Sequence, residues 1–171
     1  MELQKAKAIA EVLKQRLEPA CERLEIAGSI RRRKPCPGDI ELLTIPRYAG
    51  MVDQLDLAIK GLMNELVLGY RLNKNGHRAY GQKNKLLVHL PSGIGVDIFS
   101  TDPKCWWVSL VVRTGGEKTN KRIAMAAINK GWHLKAYGSG FSTPQGNIIC
   151  NSEREVFELV ELPYQEPWER A

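Results

Sequence analysis

The chain has 171 residues, 43% of them hydrophobic, which suits one globular domain or two small lobes with a packed core. Its net charge of +6 and pI of about 9.2 favour a polyanionic partner, although so modest an excess becomes informative only through its placement. With no basic-apolar-small leader, no apolar run of membrane-spanning length and no CxxC pair among Cys21, Cys36, Cys105 and Cys150, the expectation is an intracellular protein, cytoplasmic, nuclear or virus-associated, with no membrane partner, zinc site or thioredoxin-like motif.

Leu3, Ala6, Ala10, Leu13 and Leu17 recur at steps of three and four, with Ile9 and Val12 beside them, and predict an amphipathic helix closed by Pro19. A short strand at 24–27 leads into a Gly28–Ser29 turn, and a second strand at 40–45 ends at Pro46. The spacing of Val52, Leu55, Ala58, Ile59, Leu62 and Met63 predicts a helix over 50–65, followed by strands at 67–72 and 85–90 with a hairpin signal at Asn75–Gly76 between them. Gly95 to Phe99 reads as an apolar strand interrupted by Asp97. The strand-rich pattern stops at Thr101-Asp102-Pro103, which places a lobe boundary near residue 102, dividing the chain into 1–102 and 103–171.

The second lobe reads as a short apolar helix at 105–112, a Thr114-Gly115-Gly116 turn, and a helix over 117–130 with Ile123, Ala127 and Ile128 inward and Lys118, Lys121 and Arg122 on one face. Strands at 133–137 and 147–150 follow, then a capping-box helix from Ser152 to about Val160 and a turn-like tail. Trp106 and Trp107 read as core rather than as a stacking platform, and His77, His89 and His133, without partners at ligand spacing, as structural.

The chemistry concentrates in GSIRRRKPCPGDIE, residues 28–41. A Gly-Ser turn before a basic segment can hold phosphates, and Asp39 and Glu41, two apart on a strand, point to one face. Two hard oxygen ligands so placed suit Mg²⁺ bridging a polyphosphate, and Asp97 on a later strand can lie alongside as the third carboxylate. A solvated D-x-E pair and a solvated basic loop at Arg31 to Lys34 are the competing readings.

These residues resemble the GS-x-RR-x₆-D-x-[DE] motif of family X DNA polymerases in the nucleotidyltransferase superfamily. VDIF at 96–99 resembles the strand bearing that family's third carboxylate, RTGGEKTNKRIAMAAINKGW its TGS-x₃-NK helix, and SEREVFELVELPYQEPWER its closing signature. The resemblance implies an α+β fold, a mixed-sheet palm with flanking helices followed by a small helical and hairpin lobe. It implies catalytic, metal-holding roles for Asp39, Glu41 and Asp97 with two Mg²⁺ ions, Mn²⁺ being able to substitute. Gly28, Ser29, Arg32, Gly38, Gly115, Gly116 and Asn120 are implied nucleotide contacts, and Lys118, Lys121 and Arg122 DNA contacts. The implied activity is addition of dNMP from dNTP to a primer 3′-hydroxyl, in short-gap repair of primer-template or gapped DNA, by a monomer.

Three departures from that family matter. Val112 and Arg113 stand where many members have an aromatic pair, Ala124 where an Arg often braces the templating base, and Glu41 where Asp is commoner. Glu41 is a longer ligand that still suits Mg²⁺, while Ala124 and Arg113 keep open a terminal or small-substrate nucleotidyltransferase, and a catalytically inactive nucleic-acid-binding module is the reading from a different class. Only 27 residues precede Gly28, too few for the N-terminal helical domain of larger relatives, so no lyase activity is expected and the chain resembles the minimal palm-plus-thumb members.

Overall fold

The first hundred residues place two helices on one side of a twisted sheet. This computed structural model describes all residues 1–171. Helix α1 (Leu3–Leu17) buries Ala6, Ala10, Leu13 and Leu17 in a single stripe and passes into a 3₁₀ turn at Glu18–Ala20, where Pro19 supplies no amide donor. Strand β1 (Cys21–Ile26), the one-turn helix α2 (Gly28–Arg31) and strand β2 (Asp39–Pro46) follow.

A small ribbon, β3 (Tyr48–Ala49) and β4 (Val52–Asp53), delays the next helix, which runs as α3 (Gln54–Asn64) instead of beginning at residue 50. The reason is a cap: the Asp53 side chain accepts from the Asp56 amide at 3.1 Å, fixing the helix start there. Strands β5 (Leu68–Tyr70), β6 (Asn84–His89) and β7 (Gly95–Ser100) complete a five-stranded sheet in the order β1-β2-β7-β6-β5. Its central pair, β2 and β7, is parallel and the other pairs are antiparallel, a mixed sheet as expected.

The two faces of that central pair have different work. Ile40 and Leu42 of β2, with Val96 and Ile98 of β7, join α1 and α3 in a core of 18 buried residues. Leu43 and Ile45 of β2, with Phe99 of β7, pack the other way, against Trp106 and Leu110 of α4 (Trp106–Thr114). Burial on both faces is why these strands read as nearly continuous apolar runs. Each fully buried aliphatic side chain contributes about 1.5–3 kcal/mol.

A further core of nine residues joins α4 to α5 (Glu117–Asn129), α6 (Glu153–Glu158) and a three-stranded sheet of β8 (His133–Leu134), β9 (Gly140–Thr143) and β10 (Gly146–Ile149). The 133–137 strand is shorter than expected, and β9, the partner of β10, has no apolar alternation to announce it. Ile123 and Ala127 face inward, but Ile128 is exposed, because one residue beyond Ala127 lies about 100° around the helix. Trp106 is core and Trp107 half-buried, while Trp168 is exposed and stacks on Arg33 at 3.9 Å. No helix is long and apolar enough to cross a membrane.

Candidate active site

Side-chain alternation along β2 and β7 fixes the centre of the site. Asp39 and Glu41 share the face that carries Leu43, and the parallel register sets Glu41 directly beside Asp97 and Asp39 beside Gly95. The chain enters α2 at Gly28 with φ +60, and a β-carbon there would land on the Glu41 carboxylate. Glycine is therefore required twice over, by backbone conformation and by space.

The carboxylates are costly neighbours. Burial, followed by the charges of Asp39 and Asp97, pushes Glu41 up to about 7 despite Arg32 and Arg113 nearby. Burial likewise pushes Asp97 up to about 6, with the Arg71 guanidinium opposing and Asp39 adding to the rise. Arg71 donates through Nη2 to Asp97 Oδ1.

The expected three-ligand metal set is not preassembled, since no group of three His, Cys, Asp or Glu side chains is arranged to hold an ion. Mutual repulsion and the Arg71–Asp97 pair account for this. The donor chemistry nevertheless fits a hard divalent cation: three carboxylates on one face of paired strands, two of them raised by burial and like charge that a dication would relieve.

Around this centre lie the residues implied to hold nucleotide. Five buried side-chain nitrogen or oxygen atoms lack any hydrogen-bond partner, and three of them are Ser29 Oγ, Arg32 Nε and Asn120 Oδ1. Arg32 Nη1 donates to the Thr114 carbonyl, tying α2 to the end of α4, and Asn120 Nδ2 donates to the Val112 carbonyl at 2.9 Å. Gly115, at φ +73, lets Arg32 approach: Nη1 lies 2.7 Å from where a β-carbon would stand. Gly116, in a cis peptide with Gly115, is packed against the backbone of Ala171, so its missing side chain makes room for this chain itself. Gly38 is exposed, with nothing within 4 Å of a β-carbon position. Lys118, Lys121 and Arg122 lie exposed on α5, and Lys121 pairs with Glu117.

Sequence reasoning missed three arginines, Arg31, Arg170 and Arg71. Arg31 does not sit in a solvated loop: it donates to Thr114 Oγ1 at 2.6 Å and, through both terminal nitrogens, to Glu153 at 2.9 and 2.6 Å. Arg170, fully buried, donates to the same Glu153 at 2.9 Å. Burial alone would raise Glu153, but the two guanidiniums hold it below the usual carboxylate range. The signal was present, since Glu153 and Arg170 sit near the two ends of the closing signature. Arg113 stacks on Phe99 at 3.6 Å and borders a cavity of about 430 Å³ that also meets Lys83, Asp102 and Tyr137 but none of the three carboxylates. Arg71 falls inside the strand expected over 67–72, just past the observed end of β5, and nothing in that pattern marks its bond to Asp97.

A parallel strand pair bearing carboxylates in a mixed sheet, with a Gly-Ser helix start beside it and a helical lobe tied on through Arg31 and Arg32, is a polymerase-type palm and thumb in its fold. Residues 109–171 match the family model described as the DNA polymerase beta thumb. Two solved structures of Leishmania infantum polymerase beta share the fold, each at 20% identity. The ternary gap complex matches with a TM-score of 0.83 over 99% of this chain and 70% of its own, and the ternary P/T complex with 0.75 over 100% and 76%. The chain thus has the family X polymerase fold in palm-plus-thumb form, as its motifs led one to expect.

Proposed function

We propose that this protein is a template-directed DNA polymerase that adds dNMP from dNTP to a primer 3′-hydroxyl and fills short gaps. One observation carries the reading: three of the five partnerless buried polar atoms belong to Ser29, Arg32 and Asn120, the residues that would hold a nucleoside triphosphate. Burying such groups unpaired costs about 1–3 kcal/mol each, a cost that a bound ligand would offset.

In this reading Ser29 Oγ and Arg32 Nε donate to the β- and γ-phosphates, while the Asn120 side chain meets the edge of the base. Gly28 keeps the phosphate loop close to Glu41, and Gly38 and the Gly115–Gly116 corner complete the nucleotide surround. Asp39, Glu41 and Asp97 would hold two Mg²⁺, or Mn²⁺, which supply charge neutralisation of the polyphosphate and a more acidic 3′-hydroxyl. Asp97 accepts the hydroxyl proton as the new oxygen–phosphorus bond forms and pyrophosphate departs. Residues 1–102 act as palm and 103–171 as thumb, in an intracellular monomer whose Lys118, Lys121 and Arg122 meet DNA phosphates. The polymerase beta relatives were solved as gap and P/T complexes, which supports DNA as the partner.

Arg113 stacked on Phe99, together with Ala124, favours a second reading in which the same chemistry serves a terminal or small-substrate acceptor. Gap filling with each dNTP and rNTP in turn, on gapped duplex and on single strands, separates the two. Template-matched extension supports the first reading. Asp97→Asn is expected to abolish extension, and its persistence in the purified variant would refute both.

A further inference from the structure

Arg71 and Gly95 act together at the carboxylate centre, and the polymerase motifs account for neither. Arg71 follows the last residue of β5, an edge strand, and its amide donates to the Leu86 carbonyl at 3.2 Å. Its side chain then crosses β6 to reach β7, where Nη2 bonds Asp97. The crossing runs over Gly95: a β-carbon there would collide with Arg71 Nη1 and lie 3.0 Å from Cζ, yet would meet Asp39 Cβ at an ordinary 3.5 Å. The guanidinium therefore lies in a notch between Asp39 and Asp97, the space from which both carboxylates would reach a shared ion.

We infer that Arg71 is an internal cation that competes with a divalent metal ion for Asp97, and that Gly95 is the notch that admits it. The inference rests on the proposed reading of Asp39, Glu41 and Asp97 as cation ligands. The pair is displaceable: the Arg71 side chain is 33% exposed, at the edge of the sheet, while that of Asp97 is 12% exposed. A guanidinium brings one charge and directional N–H donors, whereas a dication brings two charges and accepts oxygen lone pairs from several carboxylates at once. Without metal, Arg71 offsets the repulsion at Asp97. When metal binds, Asp97 exchanges one cation for the other, and metal affinity is set by the difference.

The test is Mn²⁺ binding to the full chain, read by electron paramagnetic resonance without DNA or nucleotide. Arg71→Gln removes the competitor, and Gly95→Ala keeps its charge but fills the notch. Each is expected to lower the Kd for Mn²⁺ about three- to tenfold, the net scale of one ordinary hydrogen bond, as suits a partly exposed pair. Glu41→Gln weakens binding in every background. Thermal unfolding in EDTA identifies the folded variants, and should Arg71→Gln fail to fold, Gly95→Ala carries the test. Unchanged or weaker Mn²⁺ binding in a folded variant of either kind, with Glu41→Gln still weakening it, overturns the inference and leaves the proposed function standing. Mn²⁺ binding indifferent to Glu41, or absent from every variant, overturns both.

Discussion

Glu153 and Glu41 are both carboxylates placed among arginines, and their surroundings push them in opposite directions. Glu153 takes bidentate donation from Arg31 and a further bond from Arg170, so its charge is favoured. Glu41 has like charges for neighbours and no direct cation, so its charge is penalised. The adjacent arginines repeat the contrast: Arg31 spends both terminal nitrogens on protein acceptors, while Arg32 makes one bond and leaves Nε buried and free. The Glu153 network is the more closed of the two, with only Arg170 Nη2 left unpartnered, and it joins structural parts, while the open one suits a ligand that arrives from outside.

The closed half should break first. Glu153→Ala leaves Arg170 buried and without its carboxylate, and is expected to cost about 3–5 kcal/mol, or roughly 10 °C in thermal midpoint, measured by denaturant and thermal unfolding. A loss below about 1 kcal/mol would mean that the network is ornamental. The open half should respond the other way, since Glu41→Gln removes a penalised charge. Its midpoint in EDTA at pH 8 is expected to rise by a few degrees while primer extension is lost, and a fall would show that Glu41 has a cation partner.

Acid sharpens the same distinction. Because Glu153 is held below its ordinary value of 4.5, its stabilisation is fully present above about 4.5 and is lost as pH falls through its lower folded value. The thermal midpoint of the native chain should therefore drop more steeply below pH 4.5 than that of Glu153→Gln, as read by circular dichroism melts. At the proposed nucleotide site, Arg32→Gln is expected to raise the KM for dNTP about tenfold with a small loss in midpoint, whereas Arg31→Gln should chiefly lower the midpoint. The smallest effect falls to Lys118→Ala with Arg122→Ala on exposed α5, expected to weaken DNA binding severalfold and to reduce its salt dependence in fluorescence anisotropy titrations.

The sequence announced the elements whose side-chain period is unbroken. The stripe of α1 is legible because burial acts on every third to fourth residue, and β2 and β7 because burial on both faces leaves nearly continuous apolar runs. Asp39, Glu41 and Asp97 were legible as exceptions within such strands, and Ser29, Arg32 and Asn120 through motif spacing. The β9 strand was illegible because Gly140, Ser142 and Thr143 give it no apolar alternation. Arg31 and Arg71 were illegible because their partners lie 122 and 26 residues away, and no local pattern records a contact made only by the completed fold. The same holds for Gly95, whose role depends on a side chain from a strand two places across the sheet.

The parallel pairing of β2 with β7 also bears on how the chain comes to be a protein at all. Antiparallel neighbours such as β1 and β2 are joined by a short connection, but β2 must wait for Gly95–Ser100 before its other edge is covered. A ribosome that has released only β1, β2 and α3 holds out a bare strand of apolar side chains flanked by Asp39 and Glu41. Closing that gap confines about 50 intervening residues and comes late and slowly. During synthesis that uncovered edge is open to other chains, and the event that assembles Glu41 beside Asp97 is the same one that takes it out of circulation.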